Sequence, residues 1–177
     1  MQWKISIDDS LISDALTFIS DFLCNYNVDS LRYIKIESGN KKYEGVYGLC
    51  KFPGYNRCKD FRIDCYLPGP FPIERISLAK GYVYRKYGKW PKIDKKIMSY
   101  GTRLIKGRKR YWRRYAEKTR FNDINESCVW LLGHELFHFL RATKQIPGKN
   151  YETFADRFGD ELLNRYRAQR EIKINPA

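Results

Sequence analysis

The chain predicts an α+β fold, a twisted and mainly antiparallel sheet with one backing helix and two further helices toward the C-terminus. Three observations predict it. Segments of alternating polarity, rich in aromatic and β-branched residues, fill much of the first half. Good turn sequences, Ser38-Gly-Asn40 and Pro53-Gly-Tyr-Asn56, separate them. Apolar residues then recur at three-and-four spacing in one early stretch and two late ones.

Met1 to Ile7 alternates with Trp3, Ile5 and Ile7 on one face, which predicts a first strand. Asp8-Asp9-Ser10 supplies helix caps. Leu11, Ile12, Ala15, Leu16, Ile19, Phe22, Leu23 and Tyr26 then give an amphipathic helix that packs against the sheet. Leu31 to Glu37, Lys42 to Phe52 and Cys58 to Leu67 are read as an antiparallel meander, and Ile73 to Arg85 as a further strand after the proline-rich interruption at 68–72. Short helices are assigned to Asp94–Tyr100 and Arg108–Lys118, with a long loop or hairpin left open there. A helix starting near Asn122 or Asp123 is apolar on most sides and is expected to be buried. The last helix runs from Tyr151 to about Gln169.

With 177 residues the chain suits one domain with a proper core, expected to span 1–177. Its start lacks a basic region followed by an apolar run, and no stretch approaches the length of a membrane span; a cytoplasmic protein without membrane contact is expected. The five cysteines are odd in number and form no C-x-x-C pair, which argues against a disulfide framework. Cys50, Cys58 and Cys65 are read as reduced buried thiols rather than a second metal site.

The only two histidines, His134 and His138, stand four apart with Glu135 between them. On a helix that spacing stacks both imidazoles on one face, where they can share an ion. Zinc takes nitrogen, thiolate or carboxylate donors in a tetrahedron, and a catalytic zinc keeps three protein ligands. Glu152 is the candidate third ligand. Pro147 and Gly148 end the first helix, Asn150 can cap the next, and a connection this short makes the two helices neighbours. Asp156, one turn beyond Glu152, is placed to accept the other ring N–H of a histidine and fix its tautomer. Ala155 and Gly159 permit a close helix approach.

HExxH followed by Glu152-Thr-Phe-Ala-Asp156-Arg-Phe158-Gly159 resembles the gluzincins, the thermolysin-like zinc peptidases, whose glutamate helix reads E-x-x-x-D-x-F-G. It also looks like the compact minigluzincins and the metallopeptidase domains of phage and repressor-cleaving proteins. The resemblance covers about the last third of the chain. It implies a zincin-like fold, one Zn2+ per chain on His134, His138 and Glu152, and Glu135 as general base in peptide hydrolysis. It implies an extended substrate on an edge strand, expected from the segment before the active-site helix. Thermolysin-like enzymes stabilise the tetrahedral intermediate partly with another histidine, and this chain has none left; a Tyr, an Arg or a backbone N–H must serve.

Net charge is +14, and residues 85–120 hold fifteen Lys or Arg against Asp94 and Glu117. Tyr87, Trp90, Tyr100, Tyr111, Trp112 and Tyr115 are interleaved with these cations, a composition suited to phosphate contact and base stacking. Arg108, Lys109, Arg110, Arg113 and Arg114 are the candidate contacts to DNA, RNA or an acidic substrate. Two readings follow: a zinc metallopeptidase, acting on acidic or nucleic-acid-associated proteins, or a nucleic-acid-binding protein with a structural or vestigial zinc site. Oligomeric state is not legible.

Overall fold

A computed structural model describes residues 1–39, 47–54, 59–77, 83–90, 97–115 and 117–174. The fold is α+β with mixed sheets, and three α-helices lie among the described residues. The chain divides into two compact units, Met1–Ile73 with Phe121–Ala177, and Glu74–Arg120.

In the first unit, β1 (Gln2–Ile5) leads through a 3-10 turn at Asp9–Ile12 into α1 (Ser13–Leu23). Asp8 caps that turn by accepting the Ser10 N–H at 3.0 Å. The chain returns as β2 (Leu31–Ser38), parallel to β1. β3 (Tyr47–Lys51) and β4 (Phe61–Leu67) complete a four-stranded sheet of order β1-β2-β4-β3. β4 runs parallel to β2, and only β3 is antiparallel, at the edge.

This corrects the antiparallel meander. A meander would set the middle segment at the centre of the sheet, yet β3 buries only Cys50. β2 buries Leu31, Ile34 and Ile36, and β4 buries Ile63, Cys65 and Leu67. Pairing the two apolar strands removes more hydrocarbon from water and leaves the more polar one outside. Residues 42–46 and Cys58 lie outside the described residues.

α2 (Ile124–Ala142) begins at Asp123, whose carboxylate accepts the Glu126 N–H at 2.9 Å. Every residue from Glu126 to Leu140 is buried. Ala15, Phe18, Ile19 and Leu23 of α1 share its apolar core with the inner strands of the sheet. Asn125 holds α1 and the turn before it, accepting the Ala15 N–H at 3.0 Å and donating to the Leu11 carbonyl at 2.9 Å. α3 (Glu152–Ile174) lies against α2 through two glycines. A Cβ on Gly159 would stand 2.9 Å from the Trp130 carbonyl oxygen, and one on Gly133 would stand 3.2 Å from the Gly159 Cα.

In the second unit, β5 (Ile73–Ser77) pairs with β9 (Glu117–Phe121), and β6 (Val83–Tyr84) pairs with β8 (Arg108–Tyr115). β8 forms a long antiparallel hairpin with β7 (Ile97–Ile105). Its turn residues Lys106 and Gly107 both have positive φ, 50° and 71°, as a two-residue turn that follows strand twist requires. The two short helices assigned here are thereby corrected to strands from Ile97 onward; residues 91–96 lie outside the described residues. Arg-Tyr-Trp runs lack a three-and-four apolar stripe and suit a pleated surface. Among the described residues no helix is long and apolar enough to cross a membrane.

Candidate metal centre

α2 carries both histidines on the face toward α3, and their Nε2 atoms lie 3.4 Å apart. The first turn of α3 brings Glu152 to them. Its Oε2 is 3.1 Å from His134 Nε2, and its Oε1 is 3.5 Å from His138 Nε2. Two donors at zinc bond lengths on a tetrahedron stand about 3.3 Å apart. The two histidines face different oxygens of the Glu152 carboxylate, and one donor atom from each of the three residues lies within 4.8 Å of the others, close enough to share one ion. Among the described residues this is the group of His, Cys, Asp and Glu able to hold one metal ion. The Glu152 side chain is 78% exposed, against 9% and 11% for the histidines, so solvent reaches the group from the carboxylate side.

Each imidazole is also held from behind. His134 Nδ1 lies 3.1 Å from Asp156 Oδ1, at ion-pair distance though not in line for a hydrogen bond. His138 Nδ1 lies 2.8 Å from Asn150 Oδ1. The Asn150 oxygen keeps the His138 proton on Nδ1 and turns its Nε2 lone pair toward the site, and the Asp156 charge favours the same tautomer in His134. Asn150 was expected as a helix cap; its oxygen serves the histidine instead. Burial pushes the His134 pKa down, but Asp156, Glu135 and Glu152 outweigh it and hold the ring above its usual value. A metal at this ring would compete with a proton for Nε2.

Glu135 is buried and points to β3. Burial pushes its carboxyl up to about 7, against the opposing pull of His134 and of the nearby Cys50 backbone N–H. A Cβ on Gly48 would meet Glu135 Oε1 at 2.5 Å, so glycine leaves the space this carboxylate occupies. Gly48 and Cys50 lie on β3, the terminal strand of this sheet among the described residues. The edge strand beside Glu135 is thus β3, where the sequence reading expected the segment before α2.

Protein-family models, curated proteins and solved structures give no match to this chain.

His134, Glu135, His138, Glu152 and Asp156 are accordingly brought together by the fold. Sequence reading missed Asn150 as a histidine partner and Gly48 as the floor under Glu135. An isolated glycine inside a strand pattern is a known mark of close approach, and Gly48 carried that mark. Of the basic residues, Arg108, Lys109 and Arg110 are exposed on β8. Arg113 lies over the Trp90 ring at 4.0 Å, and Arg114 stands opposite Ser99 in the hairpin. Cys50, Cys65 and Cys128 are buried free thiols, and Cys24 is exposed.

Proposed function

We propose that this chain is a zinc-dependent metallopeptidase of the gluzincin type. The observation that carries the reading is the convergence of one donor atom each from His134, His138 and Glu152 within 4.8 Å, with a buried carboxylate on the same helix and, among the described residues, the terminal strand of the sheet beside it. His134, His138 and Glu152 would hold the ion. When bound, zinc supplies Lewis-acid activation of a water and of the scissile carbonyl.

The chain's own residues do the rest. Glu135 takes the water proton and delivers it to the leaving amine. Its raised pKa suits a group that must both accept and donate near neutral pH, and a divalent cation beside it would draw that value down. The Cys50 N–H and the space over Gly48 fix where its oxygens stand. An extended peptide adds to the edge of β3, which has no further strand beside it among the described residues, and its backbone groups align the scissile bond with Glu135. Asp156 and Asn150 hold the two imidazoles in one tautomer.

Elemental analysis of untagged protein purified without chelator tests the centre. Wild type is expected to carry one zinc per chain, and Glu152→Ala to lose most of it. Glu135→Gln is expected to keep the zinc and to lose peptide cleavage by about 1,000-fold or more. Cleavage that survives in Glu135→Gln, or a folded wild type that zinc does not load, refutes the reading.

A further inference from the structure

The second unit carries the entire charge excess of the protein. Between Glu74 and Arg120 there are seventeen Lys and Arg against three Asp and Glu, a net of +14, the value of the whole chain. None of these residues belongs to the metal centre. The fold concentrates the charge further by extending it along the β7–β8 hairpin.

Nine residues of β7 make a ribbon about 30 Å long and, with its side chains, about as wide as one helix. Residues 102–110 are exposed, so neither face of the distal ribbon is buried. Register assigns the side chains to faces. One face pairs Arg103 with Arg110 and Ile105 with Arg108; the other pairs Thr102 with Tyr111 and Leu104 with Lys109. Lys106 sits in the turn. Like charges directly opposite each other across strands are destabilising, as Arg103 and Arg110 are here. Among the described residues no carboxylate pairs with Arg103, Lys106, Arg108, Lys109 or Arg110. Such an arrangement costs the free protein stability and is relieved by a partner that brings a dense array of negative charge.

The base of the ribbon is braced. The Trp112 ring folds over Gly101, where a Cβ would stand 2.7 Å from it, and Arg113 is held against Trp90. Lys109 lies over the Tyr111 ring at 5.8 Å, and the other cations toward the tip are exposed, so a ribbon braced at its base presents charge along its distal part. A lipid surface needs one apolar face and one cationic face. Here each face mixes both. Cations on both faces suit a groove with a row of phosphates on either wall, and the major groove of a duplex, about 12 Å wide, admits a two-stranded ribbon.

We infer that the β7–β8 hairpin is a double-stranded nucleic-acid-binding arm that enters a groove and contacts phosphates on both walls through Arg103, Lys106, Arg108, Lys109 and Arg110. Exposed Tyr100 and Tyr111 add phenolic donors to the phosphates nearer the base. This binding is sequence-tolerant, because the cations outnumber any groups able to read base edges. It is independent of the proposed peptidase activity.

Fluorescence anisotropy of the full chain with a mixed-sequence DNA duplex of two helical turns, across a salt series, tests the arm. Two variants are compared: R103Q/R108Q/K109Q/R110Q in the ribbon, and R32Q/K59Q/K144Q/R165Q in the first unit. The ribbon variant is expected to bind more than tenfold more weakly, with a salt slope about three to four units shallower, and the first-unit variant to stay within about twofold of wild type. Circular dichroism and urea unfolding check that both variants are folded. Equal losses in the two variants overturn the assignment, since the binding would then follow net charge alone. Tighter binding to a single strand of the same length overturns the groove geometry. Binding to phosphatidylserine vesicles without binding to the duplex overturns nucleic acid as the partner.

Discussion

Gly48 is where one missing carbon shapes the site. Its α-hydrogen faces Glu135, and three atoms of that side chain would lie within 2.9 Å of a Cβ built there. Gly48→Ala leaves His134, His138 and Glu152 untouched, so zinc content is expected to stay at wild type. The carboxylate must move, and a displacement of about 1 Å in a reacting group costs on the order of 100-fold in rate. Activity and metal content measured on the same preparation check this; wild-type turnover in Gly48→Ala would mean that Glu135 has room to spare. The buried cysteines of the first unit show the same enclosure: burial pushes the Cys50 and Cys65 thiols, both near Glu135, far up and the Cys128 thiol to about 12, which keeps all three protonated and inert at neutral pH.

The pairing of α2 with α3 sets the distance between the histidines and Glu152. Gly133 and Gly159 let the helix backbones meet, and the Trp130 indole then closes the gap, donating to Asp160 Oδ1 at 2.9 Å. Gly159→Ala forces a methyl to 2.9 Å from a backbone oxygen and about 3 Å from the indole ring, neither of which is a flexible tip. The helix gains propensity from alanine, about 1 kcal/mol, while overpacking a filled contact costs about 1–3 kcal/mol. The clash is expected to win, with a net loss of stability on urea unfolding and weaker zinc binding, because α3 carries Glu152 and Asp156. A stabilised variant would show that α3 slides freely on α2.

Glu126 ties together distant parts of the first unit. It accepts from Asn122, just after β9, and from Arg167 on α3, whose Nη2 lies 2.5 Å from its Oε2. Burial raises its pKa, but the bonds from Arg167 and Asn122 more than offset this and hold it below 4.5. A carboxylate with a depressed folded value contributes stability that is complete above the unfolded value and is lost as pH falls through the folded one. Wild-type melting temperature is therefore expected to fall as pH drops below about 4.5. Glu126→Gln is expected to melt lower at pH 7 and to lose less over the same acid range; parallel curves for the two proteins would place the acid sensitivity elsewhere.

The candidate centre was legible because its parts are local. Four-residue spacing on a helix, a short Pro-Gly connection and a glutamate at the next helix start fix which side chains can meet, whatever the rest of the chain does. The caps at Asp8 and Asp123 were legible for the same reason: each is decided by contacts two or three residues away. Strand order was not. Alternation located β1, β2 and β4 but carries no information about partners, and the exchange of β3 for β4 beside β2 follows from how much apolar surface each strand can bury in the assembled sheet. The hairpin from Ile97 to Tyr115 was ambiguous because its residues pack on little, so neither period is imposed on them; pairing across the Lys106-Gly107 turn chose the strand. Gly48 under Glu135 and Asn150 behind His138 are contacts between segments far apart in the chain or turned by a loop. Local sequence names the residues able to do chemistry, and the close approach of separate elements selects the neighbours that aim them.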